Sequence, residues 1–125
     1  LNKTKNGHNM KLLTKAIETK LKKNSIKSQG AGSAEFQRTV KPVVKFFNPT
    51  GVGTWLISEM DERGIMFGLC DLGMGSPELG YVALQELEEV RLPFNLTIER
   101  DIHWESDKSL TEYADDAMKK QFINA

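Results

Sequence analysis

The feature that most constrains the fold of this chain is a series of short runs rich in β-branched and aromatic residues between residues 40 and 83. Such residues pack well on a pleated sheet, and the segments Asn-Pro-Thr-Gly at 48–51 and Asp-Glu-Arg-Gly at 61–64, which separate the runs, are typical of β-turns. Strands joined by turns this short pair antiparallel. The pattern predicts strands over 40–47, 52–60, 65–72 and 78–83.

A helix is predicted before these strands. Leu13, Ile17 and Leu21 recur at helical spacing, and Thr14 is placed to cap the first turn. The Gly- and Ser-rich stretch over 24–37 has no hydrophobic period. We therefore expect the helix to end where this stretch begins and a mobile loop to follow.

After the strands, the pattern predicts a short helix over 84–90, a fifth strand over 96–105 and a last helix that opens with a capping box from Ser109 to Glu112. The expected fold is α+β, with a five-stranded antiparallel sheet built as a meander plus one strand, helices packed on one face, and the order α-β-β-β-β-α-β-α. The side chains expected in the core are Val44, Phe46, Trp55, Ile57, Phe67, Leu69, Leu87, Ile98, Ile102 and Trp104.

Length and composition exclude several classes of protein. The 125 residues suit one domain, which we expect over 10–125 after a disordered extension over 1–9. No apolar run approaches the roughly twenty residues of a membrane span, and no leader pattern is present. Cys70 and two histidines cannot form a disulfide or a structural zinc site. We expect a cytoplasmic protein without cofactor or membrane contact.

The charge is distributed unevenly although the net charge is zero. Residues 1–30 contain eight lysines and one acid, whereas residues 58–125 contain fifteen acids and six bases. One interpretation is a basic arm that binds nucleic acid or another polyanion. The other, which we favour because arginine and interleaved aromatics are missing, is a solvated helix that balances the acidic half. The candidate polyanion-binding residues are Lys11, Lys15, Lys20, Lys22, Lys23 and Lys27.

The predicted last strand offers a candidate metal site. Alternation places Glu99, Asp101 and His103 on one face, where they could bind a hard metal ion or act as acid and base in a metal-assisted hydrolase. The same pattern is expected of an ordinary solvent-facing strand, and we favour that interpretation because nothing in the sequence predicts a pocket around it.

Arg100 interrupts the apolar face of the same predicted strand. A buried guanidinium needs hydrogen-bond acceptors. We expect the carboxylate of Glu59 or Glu78 to accept from Arg100, or else backbone carbonyl groups. A structural ion pair is favoured, with a loss of about 3–5 kcal/mol on its removal. The alternative is an arginine that lines a cleft and binds a phosphate or carboxylate ligand.

Several phrases of the sequence resemble the family DUF2958, an uncharacterised family of bacterial proteins. The resemblance extends from Leu12 to Tyr113 and implies a small stand-alone protein of bacteria, plasmids or phages, often on mobile elements, with no established activity. The matching phrases are LLTKAI at 12–17, VKFFNPTG at 44–51, TWLISE at 54–59, MFGLCDLG at 66–73, ELGYV at 78–82, LQELEEVR at 84–91 and LTIERDIHW at 96–104.

Three functions remain open at this point. The first is a non-enzymatic binding or interaction module of a mobile element or phage, with a protein partner. The second is a nucleic-acid-associated protein that uses the basic N-terminal helix, and the third is the metal-assisted hydrolase. The sequence contains no complete catalytic triad and no cofactor loop, which favours binding over catalysis. Both a monomer and a homodimer are compatible with it.

Overall fold

The computed structural model describes residues 11–31 and 33–125, and the disordered extension expected over 1–9 lies outside the described residues. A 3-10 turn, Pro93–Asn95, lies between the short helix Leu84–Glu88 and the last strand, Glu99–Arg100. The helices and strands of the described part are α1 (Lys15–Ala31), α2 (Ser33–Thr39), β1 (Val44–Phe47), β2 (Thr54–Met60), β3 (Ile65–Asp71), β4 (Glu78–Ala83), α3 (Leu84–Glu88), β5 (Glu99–Arg100) and α4 (Leu110–Lys120).

The strands form one antiparallel sheet in the order β4-β3-β2-β1-β5. The first four strands are a meander, because each pairs with its neighbour in sequence across a short turn. β5 returns after α3 and adds to the free side of β1, where Phe46 pairs with Arg100. The α+β class, the five antiparallel strands and their meander are therefore confirmed.

The sheet has a hydrophobic cluster on each face. Trp55 and Ile57 of β2 belong to one cluster, together with Leu21 of α1 and Leu87 of α3. Leu56 belongs to the other, with side chains of α2 and α4 around it. Alternate residues of a strand point to opposite faces, so the helices cover both sides. The expectation of helices on one face is wrong, because both faces of β2 are apolar and each needs a cover.

The expected core is largely formed. Ile102 is the clear exception, 60% exposed, because β5 ends before it and the chain turns away from the sheet. Phe67 and Trp104 are half-buried at the border of the second cluster. The expected core residues that are buried are Val44, Phe46, Trp55, Ile57, Leu69, Leu87 and Ile98.

The loop expected over 24–37 is instead helical. α1 continues to Ala31, and α2 begins at Ser33. The polar residues Asn24, Ser25 and Ser28 of this stretch are buried, and the Asn24 side-chain amide donates a 2.9 Å hydrogen bond to the Ser58 carbonyl oxygen. Contacts with the sheet thus favour helix where the sequence has no hydrophobic period.

The helix caps expected from the sequence are present. The Thr14 hydroxyl accepts a hydrogen bond from the Ile17 amide of α1. Ser109 and Glu112 form the reciprocal capping box of α4, which satisfies two amides of its first turn. Within the described residues, no helix combines the length and the apolar character needed to cross a membrane.

The fifth strand is much shorter than the expected 96–105. Only Glu99 and Arg100 pair with β1. The next residue, Asp101, accepts hydrogen bonds from the His103 amide through its side chain and from the Trp104 amide through its carbonyl. This local turn replaces the strand because aspartate readily binds backbone amides two residues ahead.

Candidate functional site

Four of the candidate polyanion-binding lysines border one shallow depression on the solvent side of α1. The depression has a volume of about 630 Å³ and is lined by Lys15, Lys20, Lys23 and Lys27. Among the described residues, no acid lines it and none of these four lysines forms a salt bridge. The helix therefore presents a continuous positive surface, the lysine depression. Its remaining lining residues are Ala16, Thr19 and Asn24.

The other two candidate lysines lie apart from the lysine depression. Lys22 Nζ is 2.9 Å from Glu18 Oε2 and 3.5 Å from Glu62 Oε1. The hydrogen bond to Glu18 raises the pKa of Lys22 and holds it as a neutralised pair. Lys11 borders a neighbouring cavity together with Glu18 and Glu88. Of the six candidates, Lys22 is thus paired with acids and Lys11 lies outside the depression, whereas the other four form no salt bridge with a described residue, although Lys15 also borders a cavity with Glu18.

Arg100 binds backbone carbonyls. Its Nη1 atom donates hydrogen bonds of 2.9 Å to the Lys11 carbonyl oxygen and 2.7 Å to the Leu12 carbonyl oxygen. The expected ion pair with Glu59 or Glu78 is not formed. The reason is topological, because β5 adds beside β1 and so lies at the opposite end of the sheet from β4, which carries Glu78. Arg100 ties β5 to the segment that leads into α1.

The candidate metal residues Glu99, Asp101 and His103 are not brought together into a site. Asp101 is engaged in the turn after β5, and its Oδ2 atom lies 3.9 Å from Lys45 Nζ. The described part of the chain contains no group of three or more histidine, cysteine or acidic side chains that could hold a metal ion. The hydrolase hypothesis therefore gains no geometric support.

A cleft that sequence reasoning missed lies between the C-terminal half of α1 and one face of the sheet. Its volume is about 610 Å³, within the range of small-ligand pockets, about 300–1,000 Å³. We refer to it as the Glu59 cleft. Its lining residues are Ser25, Ser28 and Gln29 of α1, Glu59 of β2, Asp61 and Arg63 of the following turn, Ile65 and Phe67 of β3, and Tyr81 of β4.

A β-bulge places Glu59 in this cleft. The pairing of β2 with β3 shifts between Ile57 and Glu59, so that Ser58 is the extra residue. Simple alternation from Ile57 would put Glu59 into the cluster of Trp55 and Ile57. After the shift Glu59 pairs with Phe67 and lies on the opposite face of the sheet. The sequence carries no clear signal of the bulge, because without it Met60 would fall in phase with the apolar Leu56; the structure places Met60 in the cluster of Trp55 and Ile57.

The bulge is held from both sides. The Ser58 side chain is fully buried, and its hydroxyl donates a 3.3 Å hydrogen bond to the Phe67 carbonyl oxygen. Its own carbonyl accepts the Asn24 amide of α1. The hydroxyl and the carbonyl of the extra residue therefore both have hydrogen-bond partners, as buried polar groups generally do.

The charges around the Glu59 cleft are not equivalent. Asp61 Oδ2 accepts hydrogen bonds from Arg63 Nε at 3.1 Å and Nη2 at 2.9 Å, so these two charges offset each other. The half-buried Glu59 forms no salt bridge with any described residue. Burial raises the pKa of Glu59, and a hydrogen bond from Ser28 only partly opposes it. Its carboxylate is thus the uncompensated charge of the cleft.

Replacing Glu59 with glutamine is expected to raise the melting temperature at neutral pH. A folded-state pKa above the ordinary value of 4.5 means that ionisation costs stability, so the wild type loses stability as pH rises from 4.5 through the raised pKa. Below 4.5 the acid is protonated in both states and the advantage of Glu59→Gln disappears. Thermal melts from pH 3 to pH 8 measure this difference.

The control is Glu62→Gln, which removes a charge that is 82% exposed in the next turn. It should follow the wild-type melting curve at each pH more closely than Glu59→Gln does. A Glu59→Gln variant that melts below the wild type at pH 7 would contradict the assignment of an uncompensated carboxylate.

Cys70 carries no reactive chemistry in this fold. Burial, with a smaller contribution from the negative charge of Glu78, raises the pKa of the Cys70 thiol to about 11. The thiolate is the nucleophilic form, so the raised pKa disfavours nucleophilic reaction of Cys70 at neutral pH. It packs against the cluster of Trp55, as the small core residue that its strand position indicates.

Comparison with curated proteins and with solved structures finds no match. Comparison with family models finds one, described as a protein of unknown function (DUF2958), over residues 12–124. The match includes every helix and strand described above. It thus spans both the lysine depression and the Glu59 cleft, and the chain belongs to the DUF2958 family.

Proposed function

We propose that this protein is a non-enzymatic binding module that takes a polyanion, with the backbone of a nucleic acid as the preferred class, on the lysine depression of α1. The observation that carries the proposal is the set of four exposed lysines on one helix face, with no acid among the described residues that line it. An unpaired lysine keeps its full charge available for phosphate, whereas Lys22 is already neutralised by Glu18.

The distribution of charge supports this proposal. Lysine without arginine is suited to phosphate contacts, which position a protein on nucleic acid without reading its sequence. The acidic C-terminal half would repel the same polyanion and so orient the protein with α1 toward it. A cytoplasmic setting on a bacterial mobile element or phage, where nucleic acid is at hand, is part of the proposal.

The test is a salt titration of binding to a short duplex DNA of random sequence. Four phosphate contacts would make the logarithm of the affinity fall with a slope of about −3.6 against the logarithm of salt, or about a hundredfold between 50 and 200 mM. Replacement of Lys15, Lys20, Lys23 and Lys27 by glutamine should remove most of this slope. The measurement is fluorescence anisotropy at several salt concentrations.

The matched control is Lys22→Gln, which removes a lysine of the same helix that is already paired. Its slope should stay close to that of the wild type. Equal slopes for the wild type and the four-lysine variant would sink the proposal. Binding to polyglutamate with no binding to DNA would overturn the nucleic-acid assignment and favour a protein partner with an acidic surface.

A further inference from the structure

We propose that the Glu59 cleft is a binding site for an organic cation, a guanidinium or alkylammonium group attached to a short carbon chain. The site is separate from the lysine depression and selects the opposite charge. It lies on the other side of α1, where the helix contributes the neutral residues Ser25, Ser28 and Gln29.

The first argument is the arrangement of three side chains across the sheet. Glu59 pairs with Phe67, and Phe67 pairs with Tyr81, so the three stand in one row on one face. Two strand spacings separate the ends of the row, about 10 Å. A carbon chain that lies over Phe67 can therefore bring its cationic end to the Glu59 carboxylate while it contacts Tyr81.

The second argument is the aromatic character of this row. The Phe67 and Tyr81 rings form an edge-to-face pair with centroids 4.9 Å apart. Tyr81 is nevertheless 73% exposed, so much of its ring remains accessible to a ligand. The faces of such rings carry partial negative charge and attract cations within about 6 Å. Both the aromatic rings and the carboxylate thus favour a positive ligand over a neutral or negative one.

The third argument is the free-energy cost of burying the Glu59 carboxylate without a bound cation. A half-buried carboxylate that forms no salt bridge with a described residue is unfavourable, and a bound cation would reduce that cost. The bulge at Ser58, whose hydroxyl and carbonyl are both hydrogen-bonded, turns Glu59 away from the cluster of Trp55 and Ile57 and onto the face of Phe67. Bulges that re-aim a side chain are frequent next to functional sites.

Asp61 and Arg63 determine which ligand charges the cleft can bind. Their mutual hydrogen bonds offset the positive charge of Arg63 against the second carboxylate of the lining, so Glu59 supplies the net charge of the cleft. The polar wall of Ser25, Ser28 and Gln29 offers hydroxyl and amide groups for the neutral part of the ligand. The cleft is thus suited to one positive charge at the end of a chain with polar substituents.

The test uses two probes of the same shape, Nα-acetyl-arginine amide and its uncharged isostere Nα-acetyl-citrulline amide. Titration of the full chain, followed by amide NMR shifts, should show the arginine probe bound at residues of the Glu59 cleft. The citrulline probe should bind at least about tenfold more weakly, the equivalent of one charge-assisted hydrogen bond. The same loss is expected for the arginine probe on the Glu59→Gln variant.

Two further variants complete the experiment. Tyr81→Leu should weaken the arginine probe by a few fold through loss of the ring face. Glu62→Gln should leave its affinity unchanged, because Glu62 lies outside the cleft. The proposal is overturned if citrulline binds as tightly as arginine, or if a folded Glu59→Gln variant keeps the wild-type affinity.

A third probe separates the two sources of such a cation. This probe is a short extended peptide that contains one arginine. If Nα-acetyl-arginine amide alone saturates the cleft, a small cationic metabolite is sufficient as ligand. If saturation requires the arginine to stand within a short extended peptide, the cation comes from a basic side chain of another protein. In the four-lysine variant used for DNA binding both results should be unchanged, so failure at one surface is distinguishable from failure at the other.

Discussion

Replacing Gly68 with alanine is expected to destabilise the protein by about 3 kcal/mol and to lower its melting temperature by about 10 °C. A β-carbon on Gly68 would lie 2.8 Å from Ile57 Cα and 2.9 Å from the Leu56 carbonyl carbon, and closer still to the Leu56 oxygen. All of these atoms are backbone, so no side chain can swing aside. Relief requires β2 and β3 to separate beside the bulge, where two hydrophobic clusters meet the sheet.

The control for this prediction is Gly80→Ala. Gly80 is the cross-strand partner of Gly68 on β4, and a β-carbon there meets no atom within 4 Å. The same change should be neutral, or stabilising by about 0.5–1 kcal/mol because alanine loses less backbone entropy in a strand. Equal melting temperatures for the two variants would show that the strands do not approach as closely at Gly68 as described.

Replacing Arg100 with methionine is expected to cost about 2–3 kcal/mol. The substitution removes two hydrogen bonds from a charged donor to the Lys11 and Leu12 carbonyl oxygens, each worth about 1.5–3 kcal/mol before the partners regain water. It also frees the segment that leads into α1, and with it Leu12, which is buried in the first cluster. Urea denaturation at pH 7 measures the loss.

Two controls locate the origin of this effect. Arg91→Met removes an arginine that also donates to two carbonyls, those of Glu88 and Val90, but within its own turn; its cost should stay under about 0.5 kcal/mol. The double change of Arg100→Met with Glu78→Gln should be additive, because the two residues lie at opposite ends of the sheet. Strong non-additivity between the two substitutions would contradict this and support the ion pair predicted from the sequence.

The sequence was most informative where local patterns and packing agree. The hairpins from Val44 to Ala83 were predictable because turn residues and alternating apolar residues specify the same pairing. The capping box at Ser109 was predictable because it depends only on residues within one turn. The length of β5 was not, since Asp101 can serve a strand or a turn and its side chain decides for the turn.

The C-terminal half of α1 could not be predicted because its support comes from elsewhere in the chain. Asn24, Ser25 and Ser28 give no apolar period, yet all three are buried, and Asn24 donates a hydrogen bond to the bulged residue Ser58. The Glu59 cleft depends on the same distant contacts. The sequence identified the lysines of α1 as candidate polyanion-binding residues. It could not show that Lys22 differs from the four lysines of the depression, because one of its partners, Glu62, lies forty residues away in the chain.

The hydrogen bond from Asn24 to the bulge makes α1 and β2 one mechanical unit. Asn24 also lines the lysine depression, so a single amide group lies between the surface that we propose for polyanions and the bulge that positions Glu59 in the cleft that we propose for an organic cation. A ligand that displaced this helix turn would therefore act directly on the peptide next to Glu59. If the two sites are coupled in this way, thermodynamic linkage makes the effect reciprocal: a polyanion that changes the affinity for the organic cation by some factor has its own affinity changed by the same factor when the cation binds.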